Sequence, residues 1–87
     1  MAASVTQIAS SATAVTLLSG VRRGFMIWNA STANLYVKFG LAAALDDFSV
    51  KLAAGQFYET YWDTRDDTTV TGIWDAVNGE AHVTVFK

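Results

Sequence analysis

The chain has 87 residues, which is enough for one domain and too few for two. Cysteine is absent and His82 is the only histidine, so disulfides are excluded and a structural zinc site is not expected. The net charge of -2 provides no basic surface for nucleic acid or for an anionic membrane, and neither is expected as a partner.

The composition is apolar for a domain of this size. Hydrophobic residues make up 52% of the chain and charged residues 16%, whereas charged residues make up about 25% of an average soluble domain. A domain this small buries only about 60% of the surface of its unfolded chain, so its own core gives modest stability. We therefore interpret the apolar excess as surface that other chains cover, and we expect a homo-oligomer.

The N-terminal segment, residues 1–13, is rich in Ala, Ser and Thr and has few large apolar residues. We predict that it is an arm or a weak edge strand, held on its own sheet or on a neighbour. It lacks the basic start and the apolar run of a signal peptide, and no apolar stretch of the chain reaches the roughly 20 residues that a bilayer requires. Synthesis in the cytoplasm is therefore expected.

Residues 14–87 are predicted to form a single β-sandwich domain. Apolar and polar residues alternate, and turn residues interrupt the alternation about every ten positions, which is typical of short antiparallel strands. We expect an all-β fold, an antiparallel β-sandwich or jelly-roll-like barrel of seven to eight short strands. Residues 20–24, 40–47 and 63–68 are predicted connections. The predicted strands after the arm are 14–18, 25–29, 35–39, 48–52, 56–62, 70–74 and 81–85.

Strand parity predicts which side chains face the core. The strand at 25–29 is apolar on both faces, which indicates a central strand covered on both sides. Asn78-Gly79 is a strong hairpin signal before the last strand. The residues assigned to the core by parity are Leu35, Val37, Phe39, Phe48, Val50, Leu52, Phe57, Ala81, Val83 and Val85. The residues assigned to the outer surface are Tyr36, Lys38, Ser49, Lys51, His82, Thr84 and Phe86.

Residues with catalytic or metal-binding chemistry are few. His82 is the only candidate general base, and no nucleophile motif accompanies it, so we interpret it as a half-exposed strand residue. Asp63, Asp66 and Asp67 share one predicted loop, but their spacing matches no calcium loop and Arg65 lies among them. A solvated turn is the simpler interpretation. We expect no enzyme activity, no cofactor and no metal.

Aromatic residues are the one abundant class with binding chemistry. Trp28, Tyr36, Tyr58, Tyr61, Trp62 and Trp74 are each suited to core packing, to a protein interface or to stacking on sugars. An interface gathers aromatic anchors of outward parity, with arginines around them. The predicted interface residues are Tyr36, Tyr58, Trp62 and Phe86, with Arg22, Arg23 and Arg65 at the rim.

Several runs of the chain resemble the small virion structural proteins of tailed bacteriophages. These runs are RRG at 22–24, LYVKFG at 35–40, KLAAGQFYE at 51–59 and GEAHVTV at 79–85. The resemblance implies a β-sandwich present in many copies on a phage particle, with no catalytic residue to carry over. It also implies a location in the virion, after synthesis in the host cytoplasm, and the major capsid protein or other virion proteins as partners.

Three functions follow from this reading of the sequence. The first is a capsid decoration or cement protein that binds and stabilises the assembled shell. The second is a neck, tail or fibre-base component of the virion. The third, from another class, is a carbohydrate-binding β-sandwich module that uses exposed aromatic residues.

Overall fold

The computed structural model describes residues 3–87, with the backbone alone for residues 62–65. The described residues form eight β-strands and contain no helix long and apolar enough to cross a membrane. The strands are β1 (Ala3–Ala9), β2 (Val15–Leu18), β3 (Arg22–Ser31), β4 (Leu35–Phe39), β5 (Val50–Leu52), β6 (Phe57–Asp66), β7 (Val70–Trp74) and β8 (Gly79–Phe86).

The strands form two four-stranded antiparallel sheets that pack as a sandwich. The first sheet has the order β1-β8-β3-β6, and the second has the order β2-β7-β4-β5. The prediction of an antiparallel β-sandwich is confirmed, and the alternative of a closed barrel is not. Within the first sheet, β3 lies between β8 and β6, so it is an interior strand as its apolar pattern indicates.

The core lies between the two sheets and is formed by the inward-facing side chains of their strands. Each fully buried Val, Leu, Ile or Phe side chain contributes about 1.5–3 kcal/mol to stability. Ile8, Val15, Val50, Tyr58 and Val85 are partly buried against this core. The buried hydrophobic cluster comprises Leu17, Leu18, Phe25, Ile27, Ala33, Leu35, Val37, Leu52, Val70, Trp74, Ala81 and Val83.

Asn29 is a polar residue inside this core and is fully buried. Its Nδ2 donates hydrogen bonds to the carbonyl oxygens of Ala33 (2.8 Å) and Leu52 (3.0 Å). Its Oδ1 accepts hydrogen bonds from Ser31 Oγ (2.7 Å) and Trp74 Nε1 (3.3 Å). Because Asn29 lies in the first sheet and Leu52 and Trp74 lie in the second, this side chain joins the two sheets by hydrogen bonds.

Two connections predicted from the sequence are largely strand. β3 begins at Arg22, within the predicted connection 20–24, and β6 continues to Asp66, within the predicted loop 63–68. The polar composition of residues 63–68 is typical of a loop, but β6 is an edge strand, where polar residues are common. The pairing of β3 with β6 shifts between Arg22 and Gly24. A Cβ at Gly24 would lie 2.4 Å from the carbonyl oxygen of Thr60, so glycine allows this close approach.

Three phenylalanines assigned to the core by parity are exposed instead: Phe57 at 62%, Phe39 at 41% and Phe48 at 41%. Phe57 lies opposite Trp28, and residues opposite each other in an antiparallel pair share a face, so both point away from the core. Phe39, at the end of β4, faces inward as parity predicts, because its ring packs on Phe25 and Tyr58 with centroids 6.1 and 5.7 Å apart, but its burial is incomplete. Phe48 precedes β5, and its ring packs on Tyr36 of the outer face, with centroids 4.9 Å apart.

The described part of the N-terminal segment is an edge strand of the protein's own first sheet. β1 pairs antiparallel with β8 along its whole length, from Ala3 opposite Phe86 to Ala9 opposite Glu80. The pairing continues past the strand, since the amide of Ser10 donates to the carbonyl oxygen of Gly79 at 2.9 Å. The first and the last described strands are therefore neighbours in one sheet.

Candidate interaction surface

The outer face of the first sheet carries a row of apolar side chains that no other element covers within the described residues. Parity assigns them to this face, because Phe25, Ile27 and Val83 between them point into the core. They line a groove of about 340 Å³. We call it the apolar groove and define it by Val5, Met26, Trp28, Phe57, His82 and Thr84.

The apolar groove crosses all four strands of the first sheet. Val5 comes from β1, His82 from β8, Trp28 from β3 and Phe57 from β6. Val5 is 65% exposed and Trp28 43% exposed, and with Phe57 they are among the large apolar residues that contact water in the single chain. Contiguous exposed apolar side chains mark a surface that binds a partner. The groove is therefore the strongest candidate site in the described part of the chain.

The position of Trp28 is fixed by polar contacts at the groove's edge. Its Nε1 donates a hydrogen bond to the carbonyl oxygen of Gly55 at 3.2 Å. Its ring lies against the His82 ring, with centroids 5.1 Å apart. His82 Nε2 lies 2.6 Å from Glu80 Oε2, an ion pair when His82 is protonated. The indole therefore presents its apolar surface in one orientation, as an anchor residue does.

The same outer face continues beyond the groove towards the other end of the sheet. Phe86 lies opposite Gly24, and Gly24 lies opposite Tyr61, so the two aromatic residues share the face with Gly24 between them. Tyr61 is exposed and Phe86 is half-buried. The structure therefore places Phe86, one of the predicted interface residues, on the same face as the apolar groove.

Two other aromatic residues predicted for the interface, Tyr36 and Tyr58, lie elsewhere. Tyr36 points outward from the second sheet, and it contacts Phe48 and the Lys51 ammonium group, which is 5.6 Å from the ring centroid. Tyr58 lies opposite Ile27, and so it points inward and packs against the core. The predicted residues therefore do not come together as one surface.

Arg22 is fully buried, so its predicted position at an exposed rim is wrong. Its guanidinium donates a hydrogen bond to the carbonyl oxygen of Thr68, and Nη2 lies 3.7 Å from Asp66 Oδ2. Burial lowers the pKa of the Arg22 guanidinium, and the charges of Asp66 and Asp67 act in the opposite direction. Arg22 therefore holds the chain after β6 against β3. The sequence signal resembled a basic turn because the two arginines are adjacent.

The other predicted rim residues are Arg23 and Arg65. Arg23 is half-buried in β3. The side chains of Trp62 and Arg65 lie outside the described residues. Among the residues whose side chains the structure describes, Phe86 is the predicted interface residue that lies on the outer face of the first sheet. The groove residues lie on the same face, although parity divided them between core and surface.

The described residues provide little for catalysis or metal binding. No group of three or more His, Asp or Glu side chains that could hold a metal ion occurs among them. Asp66, a member of the predicted acidic loop, accepts a hydrogen bond from Thr68 Oγ1 at 3.1 Å and faces Arg22. The Asp63 side chain lies outside the described residues. His82 contacts Trp28 and Glu80, and neither has a hydroxyl or thiol group that a histidine base could activate.

Comparisons with protein-family models, with known proteins and with solved structures found no match to the chain. The outer face of the first sheet and the sequence runs described above are therefore the features that indicate a function.

Strand parity alone did not predict the groove, because the groove depends on the register of β6 against β3. The pair Trp28 and Phe57 is brought together by that register, and Val5 joins it through β8. One sequence signal did indicate the surface: Met26 and Trp28 make the outward face of β3 apolar. We interpreted that pattern as a strand covered on both sides, and in the single chain only the inner side is covered.

Proposed function

We propose that the protein is a non-enzymatic structural component of a larger assembly and that it binds its partner through the apolar groove. The observation that carries this proposal is that three exposed apolar side chains, Val5, Trp28 and Phe57, line one groove across the first sheet. His82 and Thr84 of β8 lie between Val5 and Trp28. A rigid sheet holds these side chains in place before binding, so little conformational entropy is lost on association.

The assembly we propose is a bacteriophage particle, in which the protein decorates the capsid and stabilises the shell. The resemblance of the runs at 22–24, 35–40, 51–59 and 79–85 to small virion structural proteins supports this assignment. A protein that binds only the assembled shell stabilises that form by mass action. A modest affinity at each site is sufficient for stable binding when many copies bind the shell and neighbouring copies also contact one another.

The test is binding to capsids of the phage whose genome encodes the chain, measured by co-sedimentation with shells stripped of the protein. We expect saturable binding with the major capsid protein as the partner. Trp28→Ala and Phe57→Ser should each weaken it about thirtyfold, since truncation of an aromatic anchor costs about 2 kcal/mol. Lys51→Ala, on the outer face of the second sheet, is the matched control and should bind as the parent does.

Electron microscopy of the intact particle separates the virion alternatives. Density for the sandwich spread over the shell would support capsid decoration. Density at the neck, tail or fibre base would instead show that the protein is a component of that part of the virion. Parent protein that fails to bind any part of the particle would refute the virion assignment.

A carbohydrate-binding role is the second candidate, because the Trp28 and Phe57 rings are exposed in one groove and aromatic rings stack on sugars. The groove counts less strongly for this role, since its polar side chains are His82 and Thr84 and sugars require several hydrogen bonds. A glycan array probed with the parent and with Trp28→Ala decides it. Binding to a glycan that the variant loses would favour this role over capsid decoration.

A further inference from the structure

The two edges of the first sheet differ in how well they are protected against pairing with another strand. β1 is seven residues long and has no charged residue and no proline. It also pairs with β8 without a bulge. β6, at the opposite edge, contains charged residues such as Glu59 and Asp66, and its pairing with β3 is irregular. Charges, prolines and bulges are the usual protection of an edge strand, and β1 lacks all three.

The backbone groups that β1 leaves unpaired can be identified from one hydrogen bond. The amide of Ser10 donates to Gly79, so Ser10 directs its backbone groups towards the β8 side. In an antiparallel strand, alternate residues direct N–H and C=O to the same side. Thr6 therefore bonds to β8, whereas the N–H and C=O groups of Val5 and Gln7 point to the free edge.

We propose that β1 pairs antiparallel with β1 of a second copy of the chain, about a twofold axis at Thr6. The two first sheets then become one eight-stranded sheet. This register places Val5 of one copy opposite Gln7 of the other, and Ala3 opposite Ala9, so the whole strand is used. About eight backbone hydrogen bonds form across the axis. A second copy is the partner because the strand is complementary to itself and places no like charges opposite each other.

The pairing also changes the surface that the dimer presents. The twofold axis is perpendicular to the sheet, so the outer faces of both copies lie on the same side. Val5 lines the apolar groove and lies in β1, so the grooves of the two copies adjoin across the new strand pair. The dimer inference depends on the edge strand alone and does not require the proposed function.

The experiment is analytical ultracentrifugation of the full chain from about 1 µM to 1 mM, with variants that remove one backbone donor. Gln7→Pro removes an N–H at the free edge and keeps the bonds from β1 to β8. We expect its dimer dissociation constant to rise at least tenfold. Gln7→Ala keeps the N–H and should dimerise as the parent does.

Two further prolines are matched controls. Glu59→Pro acts at the other edge, because the amide of Asn29 donates to Gln56, and alternation along β6 then directs the Glu59 N–H to solvent. It should leave the dimer unchanged. Thr6→Pro removes a donor that faces β8 and should lower the melting temperature of dilute protein, which Gln7→Pro should not do.

Two outcomes would overturn the proposal: a parent chain that stays monomeric to 1 mM, and a Gln7→Pro variant that dimerises as strongly as the parent. If Gln7→Pro fails to fold, amide hydrogen exchange of the parent decides instead. Protection of the Val5 and Gln7 amides should then rise with protein concentration, while that of Glu59 stays constant. Protection of Val5 and Gln7 that does not depend on concentration would refute the pairing.

Discussion

The outer faces of the two sheets differ in what covers them. On the second sheet, the connection between β4 and β5 folds back over the face: Lys38 Nζ lies 2.5 Å from Asp47 Oδ2, and the amide of Ala43 donates to Thr71 Oγ1 at 3.0 Å. Thr71 is buried although it points outward. On the first sheet, no connection within the described residues crosses the face, and Trp28 and Phe57 stay exposed.

This difference indicates that the connections, as much as the strands, determine which surface is free to bind. Both sheets have four strands with apolar inner residues, and both carry aromatic residues on the outside. Tyr36 has its partner within the chain, in the ring of Phe48. Trp28 has His82 beside it and an open groove on its other side. An aromatic residue on the outer face therefore supports the fold in the second sheet and is available for binding in the first.

The largest expected effect comes from the residue that connects the two sheets. Asn29→Ala should lower the free energy of unfolding by about 4 kcal/mol, because it leaves several buried polar groups, including Trp74 Nε1, without a partner. Urea unfolding measures it. Asn34→Ala is the control and should lower the free energy of unfolding far less, because its partner Asp75 is exposed to solvent. An Asn29→Ala cost no larger than that of the control would mean that the sheets are joined by apolar packing alone.

An intermediate effect distinguishes the two outer faces directly. Tyr36→Ala should lower the free energy of unfolding by about 1.5 kcal/mol, because it removes the ring that packs on Phe48 and Lys51. Phe57→Ala should change it by less than about 0.5 kcal/mol, because most of its side chain is already in water. Thermal unfolding at protein concentrations too low for dimer formation measures both free-energy changes. Equal losses in the two variants would contradict the comparison.

The smallest expected effect depends on pH. The side-chain amide of Asn34, and then its backbone amide, donate to the Asp75 carboxylate and lower its pKa. A lowered pKa in the folded state adds stability above the pKa of the unfolded chain, about 3.9, and that stability is lost as pH falls through the folded value. The parent should therefore exceed Asp75→Asn in stability at pH 7, and the difference should shrink as the pH falls below about 3.9. Urea unfolding at several pH values measures the difference, and a gap that widens on acidification would contradict the assignment.

The fold class was predictable from the sequence because apolar and polar residues alternate with a period of two along most of the chain. A strand shifted by one residue in register would expose its whole apolar face to water. Leu35, Val37, Ala81 and Val83 are buried as parity predicts. The prediction that Phe57 is buried was wrong for a local reason. Aromatic residues occur at both parities in β6, so the sequence does not indicate which face of the strand points to the core. The pairing with Trp28 decides it, and that pairing is a tertiary contact.

The candidate site was less predictable than the fold. A groove formed by side chains from four strands depends on strand order, and β1-β8-β3-β6 cannot be read from local patterns. Arg22 illustrates a second limit. Two adjacent arginines between Gly20 and Gly24 suggest an exposed turn. The Arg22 guanidinium is buried instead, with the carbonyl oxygens of Gly20 and Thr68 and the carboxylate of Asp66 as partners.

The pairing of β1 with β8 has a consequence for how the chain folds. Ala3 and Phe86 are neighbours in space and lie at nearly opposite ends of the described sequence. A chain is synthesised at about 5–20 residues per second, so on the order of ten seconds pass between the synthesis of β1 and the synthesis of its partner strand β8. Closing so long a loop is slow, and folding in milliseconds to seconds is expected for such a topology. During that interval both edges of an uncharged strand are open, so the nascent chain is most exposed to wrong pairing just before β8 is complete.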